Sequence, residues 1–320
     1  MLMQNLTDIK ELYLDGVAIS SSGVEWGHSL SSLGGLRVLS MSSCNLSGPI
    51  DSSLAKHQLL SILKLNNNKL SSKVLDSFAN FSNLAILEIS SCGLNGFFPK
   101  DIFHIHTLKV LDISDNQNLN GYLPDFSPLA SLKYLNLADT NFSGPLPNTI
   151  SNLKLLSTID LSHFQFNGTL PSSMSELTQL VYLDLSFNNF TGLLPSLSMS
   201  KNLTYLSLLR NHLSGNLPSN HFEGLVNLVS INLGFNSFNG NVPITVFKLP
   251  CLKELKLPRN KLSGILGEFH NASSPLLEML DLSNNYLHGP IPSSIFNIRT
   301  LHFIQLASNK FNASGGGVTL

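Results

Sequence analysis

Hydrophobic positions alternate with polar ones in short bursts along the chain, and the bursts return at a nearly constant spacing. In Leu180-Val-Tyr-Leu-Asp-Leu185-Ser-Phe-Asn188, Leu183 and Leu185 alternate at strand period, so they point inward while Tyr182, Asp184 and Ser186 point out. Asn188 ends the burst, where an inward-turned amide pairs backbone groups that a bending chain would otherwise bury unpaired. Gly192 and Pro195 then set the return path. The same L-x-x-L-x-L-x-x-N pattern anchors at Leu12, Leu39, Leu63, Leu87, Leu111, Leu135, Ile159, Leu183, Leu206, Ile231, Leu255, Leu280 and Ile304. The first interval is 27 residues and the rest are mostly 24, with excursions to 23 and 25. No turn therefore hides a separate domain.

This period predicts a leucine-rich repeat solenoid of about thirteen repeats, β-rich and of the α/β type, wound as a right-handed superhelix. One repeat alone cannot bury enough apolar surface to offset its backbone entropy. Stacked repeats hide each other's flanks. The strands should form a parallel sheet roughly 60 Å long on the concave face, at ~4.8 Å per strand. Tails such as Gly144-Pro-Leu-Pro147, Gly168-Thr-Leu-Pro171, Gly240-Asn-Val-Pro243 and Gly289-Pro-Ile-Pro292 put short strands and 3₁₀ turns on the convex side, because proline removes a donor and fixes its dihedral. Met174, Leu177 and Leu180 carry the core round to the next strand. The reading is a single domain, 1–320, with repeats over about 6–313 and a tail over 314–320. Ser20 to Gly27 adds a surface bulge with the only tryptophan, Trp26, packed down.

Composition removes several function classes. Charged residues make up 12% and the net charge is −1, so no basic field is offered to nucleic acid or to a membrane surface. No apolar run approaches membrane-spanning length, and Met1 leads straight into a repeat without a signal peptide. Cys44 and Cys92 take the Asn188 position two turns apart, ~10 Å by strand spacing, which is too far for a disulfide. They read as buried ladder thiols, with Thr140 in the same role and Phe164 as a local break; Cys251 stands alone.

Catalytic signatures are missing: no phosphate-binding Gly-x-x-x-x-Gly-Lys loop, kinase set, Gly-x-Ser-x-Gly elbow or paired metal-ligand cysteines. Asp112, Asp160, Asp184 and Asp281 are explained by the repeat, since all fill one outward strand position. His104 and His106 flank a core Ile105 and so face solvent rather than a metal. The reading is therefore non-enzymatic, with no cofactor and no metal site.

Binding chemistry falls on the outward strand positions. One column runs Tyr134, Thr158, Tyr182, Tyr205, and another, at the strand exits, runs Phe187, Arg210, Phe235, Arg259. Neighbours ~5 Å apart can stack or make cation–π contacts, and exposed aromatics and arginine dominate protein interfaces. Packing along the sheet for stability explains the same columns without a ligand. Glu88, Asp112, Asp160 and Asp184 form an acidic middle column that suits either a basic partner or plain solvation. Asn-x-Ser/Thr sequons stand at Asn5, Asn45, Asn80, Asn141, Asn167, Asn189, Asn202, Asn271 and Asn312. Several are simply the repeat's own Asn-x-Ser-Gly, so they support a secretory route only weakly.

The G-x-[IL]-P tail after each L-x-x-L-x-L-x-x-N resembles the plant-specific extracellular leucine-rich class. More closely, Leu36-Arg-Val-Leu-Ser-Met-Ser-Ser-Cys-Asn-Leu-Ser-Gly-Pro-Ile50, Phe78-Ala-Asn-Phe-Ser-Asn-Leu84, Ser91-Cys-Gly-Leu94 and Asp139-Thr-Asn-Phe-Ser-Gly144 resemble receptor-like proteins of the Verticillium wilt resistance type. The resemblance spans essentially the whole chain. It implies the ectodomain of a plant cell-surface immune receptor that binds a pathogen-derived protein or peptide outside the plasma membrane and signals through partner receptor-kinase co-receptors. The leader, cysteine-paired caps, later repeats and membrane helix of that family are missing, so the chain reads as a partial ectodomain, attached to a membrane only through segments it does not contain. A secreted inhibitor of cell-wall-degrading enzymes and a non-functional, aggregation-prone truncated product are the alternatives.

Overall fold

The computed structural model describes residues 7–19, 23–163, 165–268 and 275–312. The chain divides into two compact units, Met1–Phe166 and Asn167–Leu320. Each is a stack of parallel three-residue strands that follow one another in chain order.

In the first unit these strands are Glu11–Tyr13, Val38–Ser40, Ile62–Lys64, Ile86–Glu88, Val110–Asp112, Tyr134–Asn136 and Thr158–Asp160. In the second they are Tyr182–Asp184, Tyr205–Ser207, Ser230–Asn232, Glu254–Lys256, Met279–Asp281 and Phe303–Gln305. Within each unit every anchor pairs with the next: Leu12 with Leu39 and Leu135 with Ile159 at the ends of the first, Leu183 with Leu206 and Leu280 with Ile304 at the ends of the second. A slip of one residue would turn the leucines outward, and their burial forbids it.

On the opposite side, short strands such as Asn118–Gly121, Asn141–Gly144, His212–Asn216 and Ser237–Gly240 alternate with 3₁₀ helices. Six of those helices start after a proline: Pro99, Pro147, Pro171, Pro218, Pro243 and Pro292. Their φ values lie between −61° and −69°, the range the ring imposes. Fold class and convex-side geometry thus agree with the repeat pattern. Met174, Leu177 and Leu180 are buried in the path back to the next strand.

From Gly23 the stretch expected as a surface bulge is an α-helix, Gly23–Leu30, and Trp26 is packed down in it as expected. Its indole N–H has no partner among the described residues.

An amide ladder runs beneath the strand exits. Asn68 Oδ1 accepts from the Cys44 and Leu46 N–H groups at 3.2 and 2.9 Å, while its Nδ2 donates to the Met41 and Leu65 carbonyls. Asn260 does the same for Phe238 N–H and the Leu233 and Leu257 carbonyls. The buried thiols substitute by donating: Cys44 Sγ to Leu14 O at 2.9 Å and Cys92 Sγ to Leu65 O at 3.0 Å. Burial pushes the Cys92 thiol up to about 11. Thr140 fills the position differently: among the described residues its hydroxyl accepts from Phe142 N–H in its own repeat. A hydroxyl is too short to reach the neighbouring repeat as an amide does. Phe164 lies outside the described residues.

Candidate functional site

Each repeat must turn sharply after its strand, and it does so with a left-handed residue just before the ladder position. In the first unit these are Gly16, Ser43, Asn67, Ser91, Asp115, Asp139 and His163, with φ from 51° to 74°. Small polar side chains and histidine tolerate this region comparatively well. In the second unit the same position holds Phe187, Arg210, Phe235 and Arg259, with φ from 52° to 55°, before reverting to Asn284 and Ser308. A left-handed backbone costs an ordinary L-residue roughly 1–2 kcal/mol. The turn alone does not call for these four side chains.

They stack. The Arg210 guanidinium lies 5.4 Å from the Phe187 ring centre and 4.6 Å from that of Phe235, and Arg259 lies 5.1 Å from Phe235. Both rings are half-buried and both arginines exposed. Each contact contributes about 0.5–1 kcal/mol at such exposure, which offsets part of the backbone cost. Beside this ladder, Tyr182 and Tyr205 occupy registered positions and stack with ring centres 4.6 Å apart and planes 5° from parallel. The Tyr205 hydroxyl donates to Asp184 Oδ2 at 3.3 Å.

Six of the seven residues singled out in the sequence thus gather on the strand face of the second unit. Tyr134 does not join them. It sits in the first unit, registered against Thr158, with its hydroxyl accepting from Asn136 Nδ2 at 3.4 Å. Burial, and then the nearby Asp112 charge, push its phenol pKa upward.

The acidic column is occupied with its own backbone. Asp112, Asp160 and Asp281 each accept from the N–H and hydroxyl of the serine two residues on, and Asp184 accepts from Ser186 N–H at 2.8 Å. Burial pushes the Asp112 pKa upward. These carboxylates close the strand-exit turn, a role signalled by the repeated Asp-x-Ser spacing. Glu88 pairs with Lys64 at 3.1 Å. Together with Tyr13, Asp15, Ile62 and Ile86 these two line a shallow depression in the first unit that the sequence pattern does not mark.

His104 and His106 face solvent on either side of buried Ile105, and His104 Nδ1 lies 3.6 Å from Asp101. Among the sequons, Asn45, Asn80, Asn167, Asn189, Asn202 and Asn312 are exposed and Asn141 is half-buried. Asn5 and Asn271 lie outside the described residues. No helix among the described residues is long and apolar enough to cross a membrane.

Comparison with known families matches a leucine-rich repeat region to residues 91–242, and a single leucine-rich repeat to residues 35–57 and 276–298. Comparison with curated sequences finds no match. Among solved structures, the ectodomain of the Arabidopsis receptor kinase HAESA, in complex with an extended IDA peptide hormone ligand, is 32% identical with a TM-score of 0.91. That likeness covers 97% of this chain and 51% of the HAESA chain, so the present chain spans about half of that relative's length. HAESA in complex with IDA and the co-receptor SERK1 is similar at 27% identity and a TM-score of 0.57, covering 97% of this chain and 63% of that one. A Listeria monocytogenes internalin shares the fold alone, at 20% identity and a TM-score of 0.66, over 95% of this chain and 82% of its own. The chain therefore carries a leucine-rich repeat fold that resembles the ectodomains of plant receptor kinases.

Proposed function

We propose that this chain is the ligand-recognition part of a plant cell-surface immune receptor ectodomain. It binds a pathogen-derived protein or peptide on the strand face of its second unit, and signalling passes to partner receptor kinases. The parent receptor sits at the plasma membrane with these repeats outside the cell, and the exposed sequons carry N-glycans. Recognition needs no catalysis and no cofactor. A rigid face holds Tyr182, Tyr205 and the Phe–Arg ladder in place, so little ordering cost accompanies binding.

One observation carries this reading: the half-buried stacked tyrosines and a ladder with exposed arginines form one surface on a fold resembling an ectodomain solved with a peptide ligand. The test is binding of fractionated fungal culture filtrate to the immobilised protein and to the Tyr182→Ala, Tyr205→Ala double variant. We expect a protease-sensitive fraction that binds the wild type at least tenfold better, with unfolding temperature nearly unchanged. Equal binding to both proteins in every fraction sinks the proposed face. The secretory route has its own test in the native tissue, where removal of N-glycans should raise gel mobility by several glycans' worth; an unchanged band refutes it.

A further inference from the structure

The geometry points to a specific ligand chemistry on this face: Arg210 and Arg259 form a paired carboxylate site for an acidic peptide segment with two carboxylates three residues apart. The inference rests on the strand face being a peptide-binding surface, and deepens that reading.

Three observations lead to it. First, phenyl rings flank the guanidiniums: Arg210 lies between Phe187 and Phe235, and Arg259 lies over Phe235. A guanidinium held against rings spends none of its N–H donors on an acceptor, and that fork matches a carboxylate bidentately. Second, neither arginine makes an ion pair among the described residues, although acids lie on neighbouring strands. Those acids are engaged elsewhere: Asp184 with Ser186 and Tyr205, Glu254 with Lys256 and Ser230, and Asp281 with Ser283. The two positive charges are thus left for something outside the chain. Third, the ladder breaks the backbone preference of its column, where the turn elsewhere uses Gly, Ser, Asn, Asp or His. Residues kept against local preference are concentrated at functional sites.

Spacing then selects the ligand. Both guanidiniums lean on the same Phe235 ring from adjacent repeats on either side, which separates them by roughly 10 Å, about two strand spacings. A polyproline II segment brings residues i and i+3 to the same side, about 9 Å apart. The fit is an extended Asp-x-x-Asp or Glu-x-x-Glu stretch, one carboxylate per arginine. The stacked pair Tyr182 and Tyr205, on the strands that lead into Phe187 and Arg210, supplies apolar area at the Arg210 end.

The chain contains only four arginines, Arg37, Arg210, Arg259 and Arg299, which makes the test direct. Side-chain Nε–Hε resonances are assigned by Arg210→Lys and Arg259→Lys variants. The protein is then titrated with a capped peptide containing Asp-Pro-Pro-Asp and, separately, with its Asn-Pro-Pro-Asn analogue. We expect the acidic peptide to move the Arg210 and Arg259 signals alone, with millimolar or tighter affinity that weakens as salt is raised. Arg210→Gln should weaken binding about tenfold, Arg210→Lys by less, and Phe235→Leu about threefold. Equal shifts at all four arginines, equal shifts with the amide analogue, or no shifts overturn the inference. If the acidic peptide fails while Tyr182→Ala, Tyr205→Ala still abolishes filtrate binding, only the carboxylate site falls and the recognition face stands.

Discussion

The two units use the same repeat and put their aromatic residues to opposite uses. In the first, rings link up inside the core: Phe103 lies 5.4 Å from Phe98, 6.1 Å from Phe126 and 6.4 Å from Phe142, and Phe78 stacks on Phe81 at 5.2 Å. Even the backbone yields there, since a Cβ on Gly121 would fall 2.5 Å from the Phe142 ring. In the second, Phe190, Phe222, Phe238 and Phe247 still fill the core, yet Tyr182, Tyr205, Phe187 and Phe235 stand on the strand face. A ring inside contributes to folding, whereas a ring outside contributes less and stays available to a partner. Repeat architecture separates the two roles cleanly because inward and outward positions alternate.

The contrast is sharpest between one inward ring and one outward ring. Phe103→Ala should cost about 3–5 kcal/mol, because the buried cavity it leaves is framed by three other rings that cannot all collapse into it. Phe235→Ala should cost about 1–2 kcal/mol, the scale of its two cation–π contacts together. Urea denaturation of both variants measures this. Similar losses would mean that the outward ladder is a structural element like the inward cluster.

The amide ladder gives the next effect. Asn260→Ala leaves Phe238 N–H and the Leu233 and Leu257 carbonyls short of a partner in the interior, so a loss of about 3 kcal/mol is expected. Cys92→Ala should cost nearer 1 kcal/mol, since a thiol is a weak donor to the Leu65 carbonyl. The ladder therefore predicts that the second unit, with Asn188, Asn211, Asn236, Asn260, Asn285 and Asn309 all in place, is more sensitive to ladder substitution than the first. Equal losses at Asn260 and Cys92 would remove that distinction.

The repeat anchors were readable from the chain because period and burial are two faces of one constraint: Leu63 and Leu255 repeat where they must be covered. The thiol positions of Cys44 and Cys92 were readable for the same reason. Local geometry was less so. The Asp-x-Ser turn at Asp112 and Asp160 reads in the sequence as part of an acidic column for a basic partner or for solvation, because sequence spacing does not say that a carboxylate bends back onto its own backbone. Tyr134 aligned with Tyr182 in register, but the stack needs direct neighbours and Thr158 takes that place beside Tyr134. The left-handed turn was hidden at four repeats of the second unit. Ser, Asn, Asp and His at Ser43, Asn67, Asp115 and His163 carry a recognisable signal for it, and Phe187, Arg210, Phe235 and Arg259 erase that signal in the repeats where the surface is built.

That erased signal supplies the smallest and most discriminating prediction. Phe235→Asn restores the residue type that Asn67 and Asn284 use at the same turn, and so relieves about 1 kcal/mol of left-handed strain. It also removes two cation–π contacts of about 0.5–1 kcal/mol each, from Arg210 and Arg259. The two changes largely offset, and the unfolding free energy should stay within about 1 kcal/mol of wild type. Both guanidiniums then lose a shared support, so affinity for an acidic peptide should fall while stability holds. Such a separation of binding from stability is the signature of a residue kept for its surface. A marked loss of stability in Phe235→Asn, on the scale expected for Phe103→Ala, would make the ladder part of the packing that holds the repeats together and leave the strand face without a reason to be strained.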